Sequence, residues 1–172
     1  NDGTGAAAEF HNPFGVALNS TGSLLYVSDQ NNQSIRVITL PGGVVTTFAG
    51  QTGTGGYTNG TNAAARFNTP KGIAVDSAGN VYVADSGNMV VRKILAGGGV
   101  GTLAGDLVTP FLSGFNDGAG AGARFSDLFA MSPFGGPCGV AVDSSGNVYV
   151  TDQGNPATFR GHTIRKVTPA GN

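Results

Sequence analysis

The sequence has little cysteine, little charge and no long hydrophobic run. Its single cysteine, Cys138, excludes an internal disulfide framework and a cysteine-based zinc site. Charged residues make up 11% of the 172 residues, and the 9 basic and 10 acidic side chains are scattered, so no basic surface for a phosphate backbone is expected. No apolar run approaches the roughly 18 residues that a membrane span needs. These features argue against nucleic acid as a partner and against a membrane span in this segment.

Glycine is abundant, with 30 residues, and the rest of the chain is rich in Ala, Val, Ser, Thr and Asn. This mixture suits many short strands that are joined by tight turns. Long helices are not expected. The composition therefore predicts an all-β fold.

The chain repeats itself three times. Residues 70–85 (PKGIAVDSAGNVYVAD) recur at 137–152 and, more loosely, at 13–29. Each copy is preceded by a Gly/Ala-rich connection that ends in phenylalanine, and each is followed by an Ile-Arg or Val-Arg pair. The phenylalanines are Phe10, Phe67 and Phe125, and the arginines are Arg36, Arg92 and Arg165. Because self-similarity at a fixed period marks repeat architectures, each copy is interpreted as one structural unit.

Within each unit the β-branched and aromatic runs are separated by turn residues, as in Asp76-Ser-Ala-Gly-Asn80, and form hairpins. Two units add a further run, Val-x-Thr-(Phe/Leu)-Ala-Gly, so the full unit has four strands. Through Pro-x-Gly-(Val/Ile)-Ala and Gly-Asn-Val-Tyr-Val-x-Asp the chain resembles the NHL-repeat family. That resemblance implies a β-propeller. The units are 1–57, 58–115 and 116–172, and the third lacks its outer strand.

Three units are too few for a closed propeller, which has about four to eight blades. We therefore predict three four-stranded blades of an incomplete propeller that would have six blades when closed. Repeat units bury their faces only against neighbours, so protein must cover the open ends. The predicted partner is either further blades of the same chain or another copy of it.

Polar residues that recur in every unit are interpreted as scaffold. An aspartate ends the second strand and an Asn follows three residues later, and both are predicted to hydrogen-bond the turn. These residues are Asp29, Asp85, Asp152, Asn32, Asn88 and Asn155. The recurring arginine of the third strand is predicted to pair with an aspartate of the same or the next blade, and the phenylalanine of the connection to pack between blades.

Residues that depart from the repeat are the candidates for partner contacts. Arg66 and Arg124 lie in the connections, where the first unit has Glu9, and Phe129 and Met131 lie in an insertion of the third unit. The segment Asn1-Asp2-Gly3 is rich in oxygen ligands but lacks the alternating acidic residues of a calcium loop. No cofactor, metal site or catalytic residue is predicted.

Three Asn-x-Ser/Thr tripeptides begin at Asn19, Asn32 and Asn59 and are candidate N-glycosylation sites. With the low charge, they favour an extracellular or cell-surface location. The sequence thus predicts a non-enzymatic structural or interaction scaffold, part of a larger NHL-repeat protein that could assemble into a fibre or coat. The alternatives are a propeller enzyme of the lyase or lactonase type and a ligand-sensing ectodomain.

Overall fold

The computed structural model of the chain describes residues 1–106, 116–125, 135–154 and 162–169. These residues form three antiparallel sheets, one for each repeat, and the sheets are the blades of the fold. Blade 1 contains β1 (Gly3–Thr4), β2 (Pro13–Leu18), β3 (Leu24–Asp29), β4 (Ser34–Thr39) and β5 (Val44–Ala49). Blade 2 contains β6 (Gly60–Thr61), β7 (Pro70–Val75), β8 (Val81–Asp85), β9 (Val90–Ile94) and β10 (Gly99–Ala104). Blade 3 contains β11 (Gly136–Val142), β12 (Val148–Gln153) and β13 (Thr163–Val167).

Short 3-10 turns lie at Gly5–Ala7, Asn62–Ala64, Ser86–Asn88 and Gly120–Gly122. No helix among the described residues is long and apolar enough to cross a membrane.

The predicted hairpins are confirmed. In blade 2, the Asp76 carboxylate accepts hydrogen bonds from the backbone amides of Ala78 and Asn80, at 3.0 and 2.8 Å, and Gly79 takes the left-handed conformation with φ of 82°. Asp143 makes the same bonds to Ser145 and Asn147 in blade 3. The side chain closes the turn, so the two flanking strands pair directly.

The sheets of blades 1 and 2 have five strands, whereas the repeat predicted four. The additional strands, β1 and β6, have two residues each and come from the Gly/Ala-rich connection. Each pairs with the outer strand of the blade that the connection leads into, β1 with β5 and β6 with β10. The connection therefore closes the outer edge of its blade before it turns inward to the first long strand.

The blades stack through their sheet faces. Strand register places Ile73, Val83 and Val81 of blade 2 on the face that meets Tyr26 and Ile35 of blade 1. A second apolar cluster joins blades 2 and 3 in the same way and includes Tyr82, Val91, Val148, Val150 and Val167. The hydrophobic core thus consists of two layers, each between successive blades.

The inner strands β2, β7 and β11 approach one another closely. A Cβ on Gly15 would lie 2.7 Å from the carbonyl oxygen of Lys71, and a Cβ on Gly72 would collide with the carbonyl oxygen of Cys138. The glycines of the first two Pro-x-Gly segments are therefore required by the neighbouring inner strand. Gly139, in blade 3, meets only the side chain of Thr151 in its own blade.

Candidate functional site

One arginine ties the parts of each blade together. In blade 2, one terminal nitrogen of Arg92 donates hydrogen bonds to the carboxylate of Asp85, at 3.0 Å, and to the carbonyl oxygen of Arg66. The other nitrogen donates to the carbonyl oxygen of Thr58 and the side-chain oxygen of Asn59, both in the connection. Arg92 and Asp85 are both fully buried. We call this arrangement the arginine clamp, because one guanidinium holds the second strand and both ends of the connection.

The clamp recurs in the other two blades. Arg36 pairs with Asp29 at 2.9 Å and with Asp2 at 2.7 Å, and Arg165 pairs with Asp152 at 3.4 Å and with Asp117 at 2.7 Å. The predicted pairing of arginine and aspartate is thus confirmed, and it lies within one blade. Removing one partner of a pair that is buried on both sides, such as Arg36–Asp29 or Arg92–Asp85, typically costs about 3–5 kcal/mol, because the other charge stays buried.

The predicted acceptor role of the aspartates needs one correction. Asp29 and Asp85 accept hydrogen bonds from the backbone amides of His11 and Asn68, respectively, both at 2.7 Å. These amides precede the inner strand and do not belong to the turn that follows the aspartate. Asn32 and Asn88 each donate their side-chain amide to the aspartate at 2.8 Å. The aspartate therefore fixes the entry to the inner strand as well as the arginine. Asn155, the counterpart in blade 3, lies outside the described residues.

Burial raises the pKa of Asp85 from 3.8 to about 6, and the charge of Arg92 and the hydrogen bonds from Asn68 and Asn88 oppose that rise. In blade 1, burial also raises the pKa of Asp2, but hydrogen bonds from Thr47 and Arg36 outweigh it and hold the pKa below its ordinary value.

The phenylalanine of each connection lies under the clamp. The guanidinium carbons of Arg36, Arg92 and Arg165 are 5.3, 5.2 and 5.0 Å from the ring centres of Phe10, Phe67 and Phe125, respectively. Phe67 and Phe125 are buried between blades, as predicted, whereas Phe10 is half-buried on the face of blade 1 that points away from blade 2.

The two arginines predicted to contact a partner are partly exposed and make polar contacts within the chain. Arg66 donates to the carbonyl oxygens of Ala63 and Ala65 and to the side chain of Gln51. Arg124 approaches Asp106 at 3.8 Å. Gln51 and Asp106 each lie two residues after the end of an outer strand, so the arginine links successive blades. Phe129 and Met131 lie outside the described residues, and all four partner roles stay predictions.

The three candidate glycosylation sites take part in local hydrogen bonds. The side-chain amide of Asn19 donates to Thr21 and Ser23 in a hairpin turn, and that of Asn32 donates to buried Asp29. The side-chain oxygen of Asn59 accepts from Arg92 in the clamp. Glycosylation stays a prediction at all three.

The two ends of the blade stack are the candidate interaction surface. The first end face consists of Val16, Leu18, Leu25 and Ile38, which strand register places together on blade 1. Val16 and Leu18 are 64% and 53% exposed, whereas Ile73, which has the position of Val16 in blade 2, is 7% exposed. The second end face lies on blade 3 and contains Tyr149 and Ile164. Ile164 is 77% exposed, and its counterparts Ile35 and Val91 are fully buried.

The open faces therefore carry the residue types of the internal interfaces. Val16 and Leu18 correspond to residues that pack against a preceding blade, and Tyr149 and Ile164 correspond to residues that pack against a following blade. Exposed apolar surface of this kind is typical of protein contacts. Over the described parts of the chain, no group of three or more His, Cys, Asp or Glu side chains is placed to hold a metal ion.

The repeat is similar to one that is found in known proteins. The family model described as "NHL repeat" matches residues 67–94, which run from Phe67 through the arginine and the end of β9. The chain contains an NHL repeat. Among its relatives are the Arabidopsis thaliana protein SUPPRESSOR OF QUENCHING 1, chloroplastic, and human NHL repeat-containing protein 2. Each is 34% identical, over 94 and 92 residues respectively.

These matches cover 55% and 53% of this chain but only 9% and 13% of the two relatives. The chain thus spans a small part of the length of the relatives that it matches.

Solved structures share the β-propeller fold. A protein of Bacteroides thetaiotaomicron is 26% identical with a TM-score of 0.69, and the match covers 89% of this chain and 34% of that one. A gluconolactonase from Xanthomonas campestris is 18% identical with a TM-score of 0.60, over 95% and 46% of the two chains. A chain of the nidogen/laminin complex is 20% identical with a TM-score of 0.54, over 91% and 48%. The last two similarities concern the fold alone.

Sequence reasoning missed the second acceptor of the clamp. Asp2 was interpreted only as an oxygen ligand for calcium and Asn59 only as a glycosylation site, whereas in the structure Asp2, Asn59 and Asp117 each bind the recurring arginine. The repeat carried a signal for this contact, because each of these residues lies at the start of a connection and recurs once in every unit, as the arginine does.

Proposed function

We propose that this chain is a non-enzymatic interaction scaffold whose two end faces bind further propeller blades. The observation that carries the proposal is the difference in burial at equivalent repeat positions. Ile35 and Val91 are fully buried against the next blade, and Ile164 is 77% exposed. A large apolar side chain gains about 1.5–3 kcal/mol on full burial, so covering both faces is favourable.

The clamp supports a scaffold role. The recurring aspartates, which would be the natural acids or bases of an enzyme, each share hydrogen bonds with an arginine of their own blade. The same arrangement in all three blades is expected of a device that stabilises the repeat. The propeller in the nidogen/laminin complex is a precedent for this fold in protein assembly.

We further propose that the scaffold is part of a larger extracellular or cell-surface protein, and that its partners are other blades of the same protein or a second copy of this chain. The low charge and the three glycosylation tripeptides support this location. The intact mass of the native protein before and after glycosidase treatment tests this location. A mass that the glycosidase leaves unchanged would remove the support from glycosylation.

The interaction role is tested by sedimentation velocity of the 172-residue chain over a range of concentrations. We expect reversible association, because the open faces are complementary to each other. Val16→Lys and Ile164→Lys should each weaken it at least tenfold, since a lysine ammonium would have to be desolvated at the contact. The matched control is Leu95→Lys, which changes an exposed apolar residue in the turn between β9 and β10. Equal association of all four proteins would contradict the proposal.

A further inference from the structure

The outer edge of blade 3 differs from those of blades 1 and 2. In the complete blades, β5 pairs with β4 and β10 pairs with β9 along the full length of the sheet. In blade 3, β13 pairs with β12 on one side, and within the described residues its other side faces no strand. A strand edge presents backbone donors and acceptors to any extended segment that fits it.

The edge of β13 borders a groove. A cavity of about 440 Å³ is lined by Asp117, Thr163, Ile164, Arg165 and Lys166. A smaller cavity of about 80 Å³ lies beside it, where the lining includes Ala123, Phe125 and Val167. Apolar and polar groups therefore meet at the position that the outer strand holds in the other two blades.

The complete blades show what an outer strand contributes there. In blade 1, the carboxylate of Asp2 accepts hydrogen bonds from the hydroxyl and the backbone amide of Thr47, at 3.0 and 3.2 Å, and it also binds Arg36. In blade 2, the side-chain oxygen of Asn59 accepts the hydroxyl of Thr102 at 3.3 Å. Outer strand, connection and clamp are thus joined through one threonine.

Blade 3 carries the receiving half of this contact. Asp117 binds Arg165 at 2.7 Å, as Asp2 binds Arg36, and its side chain is 97% exposed. Thr47 and Thr102 pair with Arg36 and Arg92, so the equivalent residue of an added strand would lie opposite Arg165, beside Asp117.

The same register defines the rest of the added strand. Two residues before the threonine, Val45 and Val100 pair with Ile38 and Ile94, which correspond to Val167 in blade 3. Two residues after it, Ala49 and Ala104 pair with Ile35 and Val91, which correspond to Ile164. The following residues, Gly50 and Gly105, have positive φ values of 90° and 106°.

From these contacts we propose that the open edge of β13 is a binding site for an extended strand of sequence Val-x-Thr-apolar-Ala-Gly. The strand adds antiparallel to β13, with its valine opposite Val167, its threonine opposite Arg165 and its alanine opposite Ile164. This inference rests on the proposed scaffold function and specifies the chemistry of one partner. Main-chain hydrogen bonds supply affinity, and the threonine and small alanine supply specificity.

The test uses a fluorescent peptide with the sequence of residues 97–106, which contains β10, titrated into the full chain and followed by anisotropy. We expect saturable binding. A peptide in which valine replaces the threonine should bind about tenfold more weakly, because the hydroxyl bond to a charged carboxylate is lost. A scrambled peptide of the same composition should not bind measurably.

Variants of the chain localise the site. Asp117→Ala should weaken peptide binding about tenfold, whereas Asp117→Asn should bind within about twofold of the original, since Asn59 serves as acceptor in blade 2. In amide NMR spectra, peptide-induced shifts should concentrate at residues 163–167. Equal binding of the scrambled peptide, shifts centred on another blade, or no binding at all would overturn the strand site.

Failure of this inference is distinguishable from failure of the proposed function. If the peptide does not bind but Val16→Lys still reduces self-association, the strand site is wrong and the end-face proposal stands. If the peptide binds specifically while Val16→Lys has no effect, the strand site stands without the end-face proposal.

Discussion

Blades 1 and 2 have the same arginine clamp, the same hairpins and the same kind of outer strand, but they differ in what covers them. The face of blade 2 that carries Ile73 is buried against blade 1, whereas the corresponding face of blade 1, which carries Val16, is exposed. Residue type therefore does not decide burial in this chain. The position of the blade in the stack decides it, and each repeat position provides its own control for the energetic effect of a neighbour.

Replacing the phenylalanine of the connection gives the largest expected difference between the two blades. Phe67→Ala removes a fully buried ring between blades and should reduce the free energy of unfolding by about 3–5 kcal/mol. Phe10→Ala, at the same position in blade 1, should cost only about 1–2 kcal/mol, because the ring is already half-exposed.

Urea unfolding of both variants measures the difference. Equal losses would mean that a partner covers the first end face under the conditions used, so dilution to the monomeric state is the control.

A smaller difference is expected at the inner-strand glycines. Gly72→Ala should destabilise the fold by about 1–3 kcal/mol, because the new methyl group would collide with the backbone of Cys138 in the next blade. Gly139→Ala should cost less, since its Cβ would meet only side-chain atoms of Thr151 and no backbone of another strand. Thermal unfolding of the pair tests the close approach of the inner strands. A larger effect at Gly139 would show that this strand spacing is wrong.

A pH dependence should separate the buried clamp from an exposed turn of the same blade. The folded-state pKa of Asp85, about 6, lies above its ordinary value of 3.8 because the carboxyl is buried. The contribution of Asp85 is therefore fully present below about pH 4 and is lost as the pH rises through about 6. The unfolding free energy of the original chain relative to Asp85→Asn should fall over that range.

Asp76 should show the opposite slope. Burial raises its pKa, but hydrogen bonds from Asn80, Tyr82 and Ala78 outweigh that effect and lower it below 3.8. Its contribution is present above about pH 4 and is lost as the pH falls through the lowered folded-state pKa. Urea titrations of Asp85→Asn and Asp76→Asn between pH 3 and pH 7 compare the two. Parallel slopes would contradict the difference in environment.

Much of the fold could be predicted from the sequence because the repeat aligns equivalent residues. The repeat, its strand-forming runs and its turn residues predicted the hairpins, the pairing of arginine with aspartate and the packing of Phe67 and Phe125. It did not identify the pairing of β1 with β5, because two strands of two residues carry no periodic signal and depend on where the connection crosses the blade. The partners of Arg66 and Arg124 were missed for a similar reason, since Gln51 and Asp106 come close only after successive blades stack.

The crossing of the connection has a consequence for the way such a chain can be lengthened or shortened. Thr58 and Asn59 are bound by Arg92 of blade 2, although they precede that blade's inner strand and follow blade 1 in sequence. A cassette that carries a complete blade therefore begins at the start of the connection and not at the Pro-x-Gly segment. Duplication or recombination at that boundary would transfer each clamp intact, whereas a cut at the inner strand would separate the arginine from its acceptors in the connection.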